Sequence, residues 1–291
     1  MNSKSNLYIL CLATLVSIQS IGQEVTSRDG GYPSDDAYVR EHNPTRKVIP
    51  YPNLREADVM WSRRMWEVID LRQKINQPLY LPVDATEARK SLFDVIRIGL
   101  LEEGSITAYG LGPAQDDDEF HYALSQDSLE SMMNPTKTKY VENPITQELE
   151  PKEVIEPLKS SDVMAYKIKE DWIFDKQRSE RYVRIIGIAP VINKYVEGSS
   201  ELKGQVELFW LYYPECRYLF NNYDVFNAHN NSQQMTFDQM FQMRLFQGYI
   251  VKEDNVFNRQ VSDYALGIDG LLESERIKND MFIMEHDLWH Y

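Results

Sequence analysis

Between residues 163 and 192 the chain alternates with period two. Trp172 and Phe174 lead into the charged stretch 176–181, and then Val183, Ile185 and Gly187 interleave with Arg184, Ile186 and Ile188. This pattern predicts two strands joined by a polar turn. The run VELFWLYY at 206–213 is apolar and aromatic enough for a buried strand, and its counterpart at 64–70 also reads as a strand. A helix through Trp61, Met65 and Val68 is the alternative there. Short strands are expected at 106–109 and 249–251. Helical signals differ in kind. Thr236-x-x-Gln239 forms a capping box with Asp238 in the first turn, and Gly248 stands where a left-handed terminal residue is wanted, for a helix of about three turns. In the first half Asp84-x-x-Glu87 can open the equivalent helix and Gly104 can close it. At the C-terminus Ile277, Met281, Met284, Leu288 and Tyr291 recur at helical spacing and form one apolar stripe.

Two stretches share an order of residues. Trp66, Asp70-x-Arg72-x-x-Ile75-Asn76 is echoed by Trp210, Glu215-x-Arg217-x-x-Phe220-Asn221. Phe93-Asp94, Leu101, Gly104 and Ile106 are followed at a constant offset of 144 by Phe237-Asp238, Leu245, Gly248 and Ile250. Tyr122-Ala123-Leu124 with Asp127 recurs as Tyr264-Ala265-Leu266 with Asp269. The fold class is therefore α+β, with two related mixed α/β units from an internal duplication, joined by a strand pair. An extended N-terminal arm precedes them and a C-terminal helix follows. The expected segments are a signal peptide at 1–22, a Pro-rich arm at 23–57, a first unit at 58–133, a linker at 134–160 and a second unit at 161–291.

Composition narrows the function. A formal net charge of -14 disfavours a sequence-independent grip on nucleic acid or anionic lipid, which would repel such a surface. Lys4, the apolar stretch 7–18 and small residues at Ser20 and Gly22 read as a secretory signal, with the mature chain beginning at Gln23. Cys11 lies inside the apolar stretch, where bulky Tyr8, Ile9 and Leu10 argue against lipidation. Its removal leaves Cys216 alone, as a buried inert thiol or as a reactive or intermolecular one. Nothing predicts a membrane span in the mature chain.

Candidate chemistry is thin. The run 116–119, Asp-Asp-Asp-Glu, lacks the spaced ligands of a calcium loop and reads as a solvated loop. His286 and His290 have the spacing of a helical zinc pair but not the catalytic order, so a structural or surface role competes with metal binding. No hydrolase elbow, phosphate loop or dinucleotide fingerprint occurs, and neither an enzyme activity nor a cofactor is expected. The acid-x-Arg elements, with Arg72 and Arg217, fit a structural ion pair or a subunit contact, with a substrate clamp as the alternative. In the Pro-broken arm, Tyr51 and Leu54 are the expected anchors for a neighbouring protein.

Four blocks carry a family resemblance: MWSRRMWEVIDLRQKINQPLYLP, EDWIFDKQRSERYVRIIGIAPV, LFWLYYPECRYLFNNYDVFN and GIDGLLESERIKNDMFIMEHDLW. They resemble the gliding-motility protein family GldN, called PorN in the related secretion system. The resemblance implies a structural subunit of the type IX secretion machine, periplasmic and peripherally associated with the outer membrane. It also implies a ring built by self-association and with a GldK/PorK-like lipoprotein, coupled to a GldL/GldM (PorL/PorM)-like motor. The family supplies no catalytic residues. A periplasmic ligand- or peptide-binding module is the alternative.

Overall fold

The computed structural model describes residues 46–86, 89–113, 117–142, 149–195, 202–227, 230 and 234–288. The expected signal peptide, most of the expected arm, Asp116 and His290 lie outside them. The chain divides into Met1–His42, also outside, and Asn43–Tyr291, which holds every element below.

The centre is an antiparallel sheet built on three long strands, β1 (Val59–Asp70), β6 (Val163–Asp175) and β7 (Glu180–Tyr195). As the alternation predicts, β6 and β7 form a hairpin, registered from Asp175↔Glu180 to Val163↔Ile192. Its turn is held by Asp175, whose Oδ1 accepts from the Gln177 N–H at 2.8 Å. Ser179 takes a left-handed φ of 55°. The segment at 64–70 is strand, within β1, and the helical alternative falls.

The short strands β2 (Ala108–Gly110), β3 (Tyr122–Ala123), β8 (Leu202–Glu207), β9 (Trp210–Tyr212) and β10 (Tyr249–Glu253) complete the sheet. Its order is β10-β1-β6-β7-β9-β2-β3, with β8 also on β7. Strands from the two expected units are thus interleaved, since β1 lies between β10 and β6, and β2 lies beside β9. The connecting stretch 134–160 carries a separate antiparallel pair, β4 (Thr136–Glu142) and β5 (Leu149–Ile155).

Among the described residues the α-helices are α1 (Gln77–Tyr80), α2 (Leu92–Arg97), α3 (Gln126–Met133), α4 (Tyr213–Phe220), α5 (Phe237–Gln242) and α6 (Ile268–Leu288). α1, α2, α4 and α5 cover one face of the sheet, where Leu79, Phe93, Ile96, Phe220 and Phe237 pack on Ile69, Ile168 and Ile188 in the main core. α6 covers the β10–β1 end of the sheet, burying Ile277 and Met281 against Met65 and Ile250. Over the opposite face folds the loop that follows β2, and Phe120 joins Trp66, Ala189 and Trp210 there.

Several local expectations are corrected. The expected strand 206–213 is broken. β8 ends at Glu207, β9 holds only three residues, and α4 starts at Tyr213 because Pro214 suits a first helical turn. α2 opens at Ser91, not Asp84. Ser91 and Asp94 form the capping box, and placing the start there buries Leu92 and Phe93. The Thr236–Gln239 box is present on α5, but that helix lasts six residues and Arg244, with φ 52°, takes the left-handed position expected of Gly248. Gly104 does adopt φ +60°. Gly248 serves a close approach instead: a Cβ there would lie 2.8 Å from the Val68 carbonyl oxygen. The structure does not confirm the duplication. Asp70 ends β1 and Arg72 lies in the turn after it, whereas Glu215 and Arg217 lie within α4.

Candidate functional site

Two charged clusters stand out. The first ties down residues 46–52. Pro50 and Pro52 keep this stretch extended, so its carbonyls and side chains are available to neighbours. Arg46 donates to Asp224 at 2.6 Å and to Gln234 at 2.9 Å. The Ile49 carbonyl accepts from Arg217 at 2.7 Å, and the Pro52 carbonyl accepts from Arg184. The Tyr51 ring lies 4.2 Å from the Arg217 guanidinium, and its hydroxyl accepts from Gln242 at 3.0 Å. Arg217 is itself locked to Asp238 at 2.9 and 3.2 Å, and both side chains are only 6% exposed. Asp238 also accepts from the Tyr213 hydroxyl and sits in the first turn of α5, where the helix dipole favours an anion. Burial raises the Tyr51 and Tyr213 pKa values, so both phenols stay protonated hydrogen-bonding groups near neutral pH.

Of the four expected contact residues, Tyr51 and Arg217 thus meet each other, within the chain itself. Leu54 is half-buried just before β1. Arg72 stands apart and exposed, gripping Asp70 at 2.6 Å, and this hydrogen-bonded pairing lowers the Asp70 pKa.

The second cluster lines a cleft of about 330 Å³ between β1, β6, the loop after α5, and α6. Strand periodicity turns Glu67 and Glu170 inward here, and Arg244 bridges them at 3.0 and 2.7 Å. Trp172 Nε1 donates to Glu170 at 3.1 Å. Lys278 from α6 reaches Glu67 at 3.6 Å and donates to the Gly248 carbonyl at 2.6 Å. Arg244 also lies against the Trp172 and Phe246 rings, and Arg181 lies 4.9 Å from the Trp172 ring while pairing with Glu285. Burial raises the Glu170 pKa, the Glu67 charge adds to the rise, and Arg244 opposes it. Two carboxylates, one guanidinium and one ammonium nearly balance, so this network ties four chain segments together electrostatically.

On the far face Lys169, itself buried, donates to the Asp118 carbonyl and carboxylate, and Trp66 Nε1 donates to the same carboxylate. Asp118 of the acidic run is therefore pinned to the sheet, while Glu119 stays exposed, as a solvated loop requires. Cys216 is buried with its thiol pKa raised by desolvation, which suits the inert reading. His286 is exposed, and its expected partner lies outside the described residues. No group of metal-ligating side chains occurs among the described residues.

These features describe a scaffold class: one antiparallel sheet with its N-terminal segment, loops and last helix fastened by buried and half-buried ion pairs. The chain matches the family described as Gliding motility associated protein GldN over residues 54–290, and it belongs to that family. No curated protein matches it. Membership makes it a component of the gliding-motility and type IX secretion machinery, and the family is not a known enzyme family. No helix among the described residues is long and apolar enough to cross a membrane.

Proposed function

We propose that this chain is a structural subunit of that machinery, exported to the periplasm and held peripherally at the outer membrane. There it builds a ring with a GldK/PorK-like lipoprotein and with further copies of itself, and couples the ring to a GldL/GldM (PorL/PorM)-like motor. The family match across residues 54–290 carries this reading. The clamped segment supports it by fixing where the arm leaves the body, with Tyr51, Leu54 and Arg72 as candidate contacts with neighbouring subunits and the buried Arg217 as the residue that holds Tyr51 in place.

Co-expression with the lipoprotein followed by size-exclusion chromatography tests the proposal. Co-elution in a large complex is expected, and separate elution of both proteins overturns it. The cleft beneath α6 favours a second reading, a periplasmic ligand- or peptide-binding module, because a concave site of this size with aromatic walls and paired charges suits a small ligand. Under that reading the chain elutes as a monomer, and protection from thermal unfolding by a ligand requires Trp172.

A further inference from the structure

α6 is 21 residues long and carries two apolar stripes where a surface helix needs one. At 3.6 residues per turn, Ser274, Ile277 and Met281 point at the sheet and are buried. On the opposite side Ile268, Leu271, Leu272 and Ile283 face outward, and Phe282 sits at their edge beside the mouth of the cleft, all five between 47% and 76% exposed. Exposed Tyr264 and Leu266 precede them. Together the five helical side chains present on the order of 500 Å² of apolar surface, at the upper end of what monomers leave bare.

We infer that this outer face of α6 is a docking surface for a basic amphipathic helix of a partner protein. The charges around the stripe define the occupant. Glu275 and Asn279 interrupt the stripe between its apolar ends, and both are exposed. Asp269, Glu273, Asp280 and Asp287 run along one flank, where Arg276 is engaged by Glu273 and Asp280 at 2.6 Å each. In all, the helix holds six acids against two bases, and the second base, Lys278, turns back to the Gly248 carbonyl. The complement is a helix with Leu, Ile or Phe at helical spacing, Lys or Arg beside them, and a base opposite Glu275 to set the register.

The same charges disfavour other occupants. In an antiparallel pairing of two copies, each acidic flank faces itself, and in a parallel pairing Glu275 meets Glu275. An anionic lipid surface is repelled, because helices that lie on membranes carry Lys and Arg on their polar face. The stripe is a property of α6 whatever assembly the chain joins.

The test is fluorescence anisotropy of the full chain with a labelled amphipathic Leu/Lys peptide of about 20 residues, long enough to match α6. A peptide with the same Leu positions and Glu for Lys is the comparator. The Leu/Lys peptide should bind, and the Leu/Glu peptide should bind at least roughly tenfold more weakly. The variant Leu272→Ser/Phe282→Ser should lose a similar factor at unchanged thermal stability, since both side chains are exposed. Glu275→Lys, which removes no apolar contact, should also weaken binding of the Leu/Lys peptide. Equal binding to wild type and both variants overturns the inference, as does no binding at all. A wild-type dimer that dissociates on the Leu272→Ser/Phe282→Ser change would make a second copy the occupant, and vesicle binding lost on that change would make it lipid.

Discussion

Replacing Arg244 by Met isolates the contribution of the bridge beneath α6. Arg244 already sits at φ 52° without being glycine, so Met inherits the same backbone cost and the comparison reports the side chain. Glu170, whose side chain is 1% exposed, loses its cation and keeps only the Trp172 N–H. Glu67 still faces Lys278. Breaking a buried pair costs roughly 3–5 kcal/mol. Because Arg244 is 31% exposed and Glu67 retains a partner, the loss should fall near about 3 kcal/mol. For a body of this size that corresponds to a drop in Tm of about 6–12 °C.

The deficit depends on pH with a definite sign. A carboxyl whose folded pKa lies above its unfolded value contributes most stability below the unfolded value and loses it as pH rises through the folded value. Glu170 is such a group, chiefly through burial, and removing Arg244 raises its pKa further. The variant should therefore be most impaired at neutral pH and recover on acidification as Glu170 takes up its proton. Thermal and urea unfolding of the full chain, followed by tryptophan fluorescence, checks this. A Tm equal to wild type at neutral pH, or a deficit that does not shrink on acidification, would refute the electrostatic account. Adding Glu67→Gln and Glu170→Gln to Arg244→Met should restore much of the loss.

Three further outcomes are expected. Tyr51→Ala should cost about 1 kcal/mol and make residues 46–52 cleavable in limited proteolysis, since the ring covers Arg217 and Arg184. Removing residues 24–45, polar and Pro-broken, should leave the unfolding midpoint unchanged, whereas extending the deletion to 52 should lower it, because Asp224 and Arg217 then lose Arg46 and the Ile49 carbonyl. Gly104→Ala should cost about 1–2 kcal/mol, as backbone strain alone, because no neighbour lies within 4 Å of the added methyl. Gly248→Ala should cost more, because the methyl would meet the backbone of β1. Urea titrations that rank the two variants the other way would contradict this.

The features legible in the sequence are those with local causes. The β6–β7 hairpin follows from alternation around a polar turn, the buried side of α6 from its helical period, and the start of α5 from one capping box. The start of α2 was ambiguous because Asp84-x-x-Glu87 and Ser91-x-x-Asp94 both satisfy the local rule. Only burial of Leu92 and Phe93 decides between them. The strand expected through 213 ignored Pro214, whose fixed φ favours a first helical turn. The cleft was hidden for another reason: Glu67, Glu170, Arg244 and Lys278 come from four distant segments, and a charge within a strand does not reveal its partner. A Glu between Trp66 and Val68 was the available sign, since an acid inside an apolar strand needs a cation nearby. The self-docking of Tyr51 on Arg217 was likewise invisible, although both residues stood out singly.

The outer strand β10 does not present a bare row of backbone groups. Ser274 of α6 accepts from the Ile250 N–H at 2.9 Å, and Lys278 caps the Gly248 carbonyl. At the other end of the sheet β3 is only two residues long. Neither of these two borders offers an easy template for an incoming strand, which is how sheets with open borders begin to polymerise, whereas among the described residues β8 and the β4–β5 pair keep an unpaired edge. Fibre growth through the backbone is thereby disfavoured at these two borders. A protein that meets either of these borders must instead recognise it through side chains, whose pairings can be reversed and evolve one residue at a time.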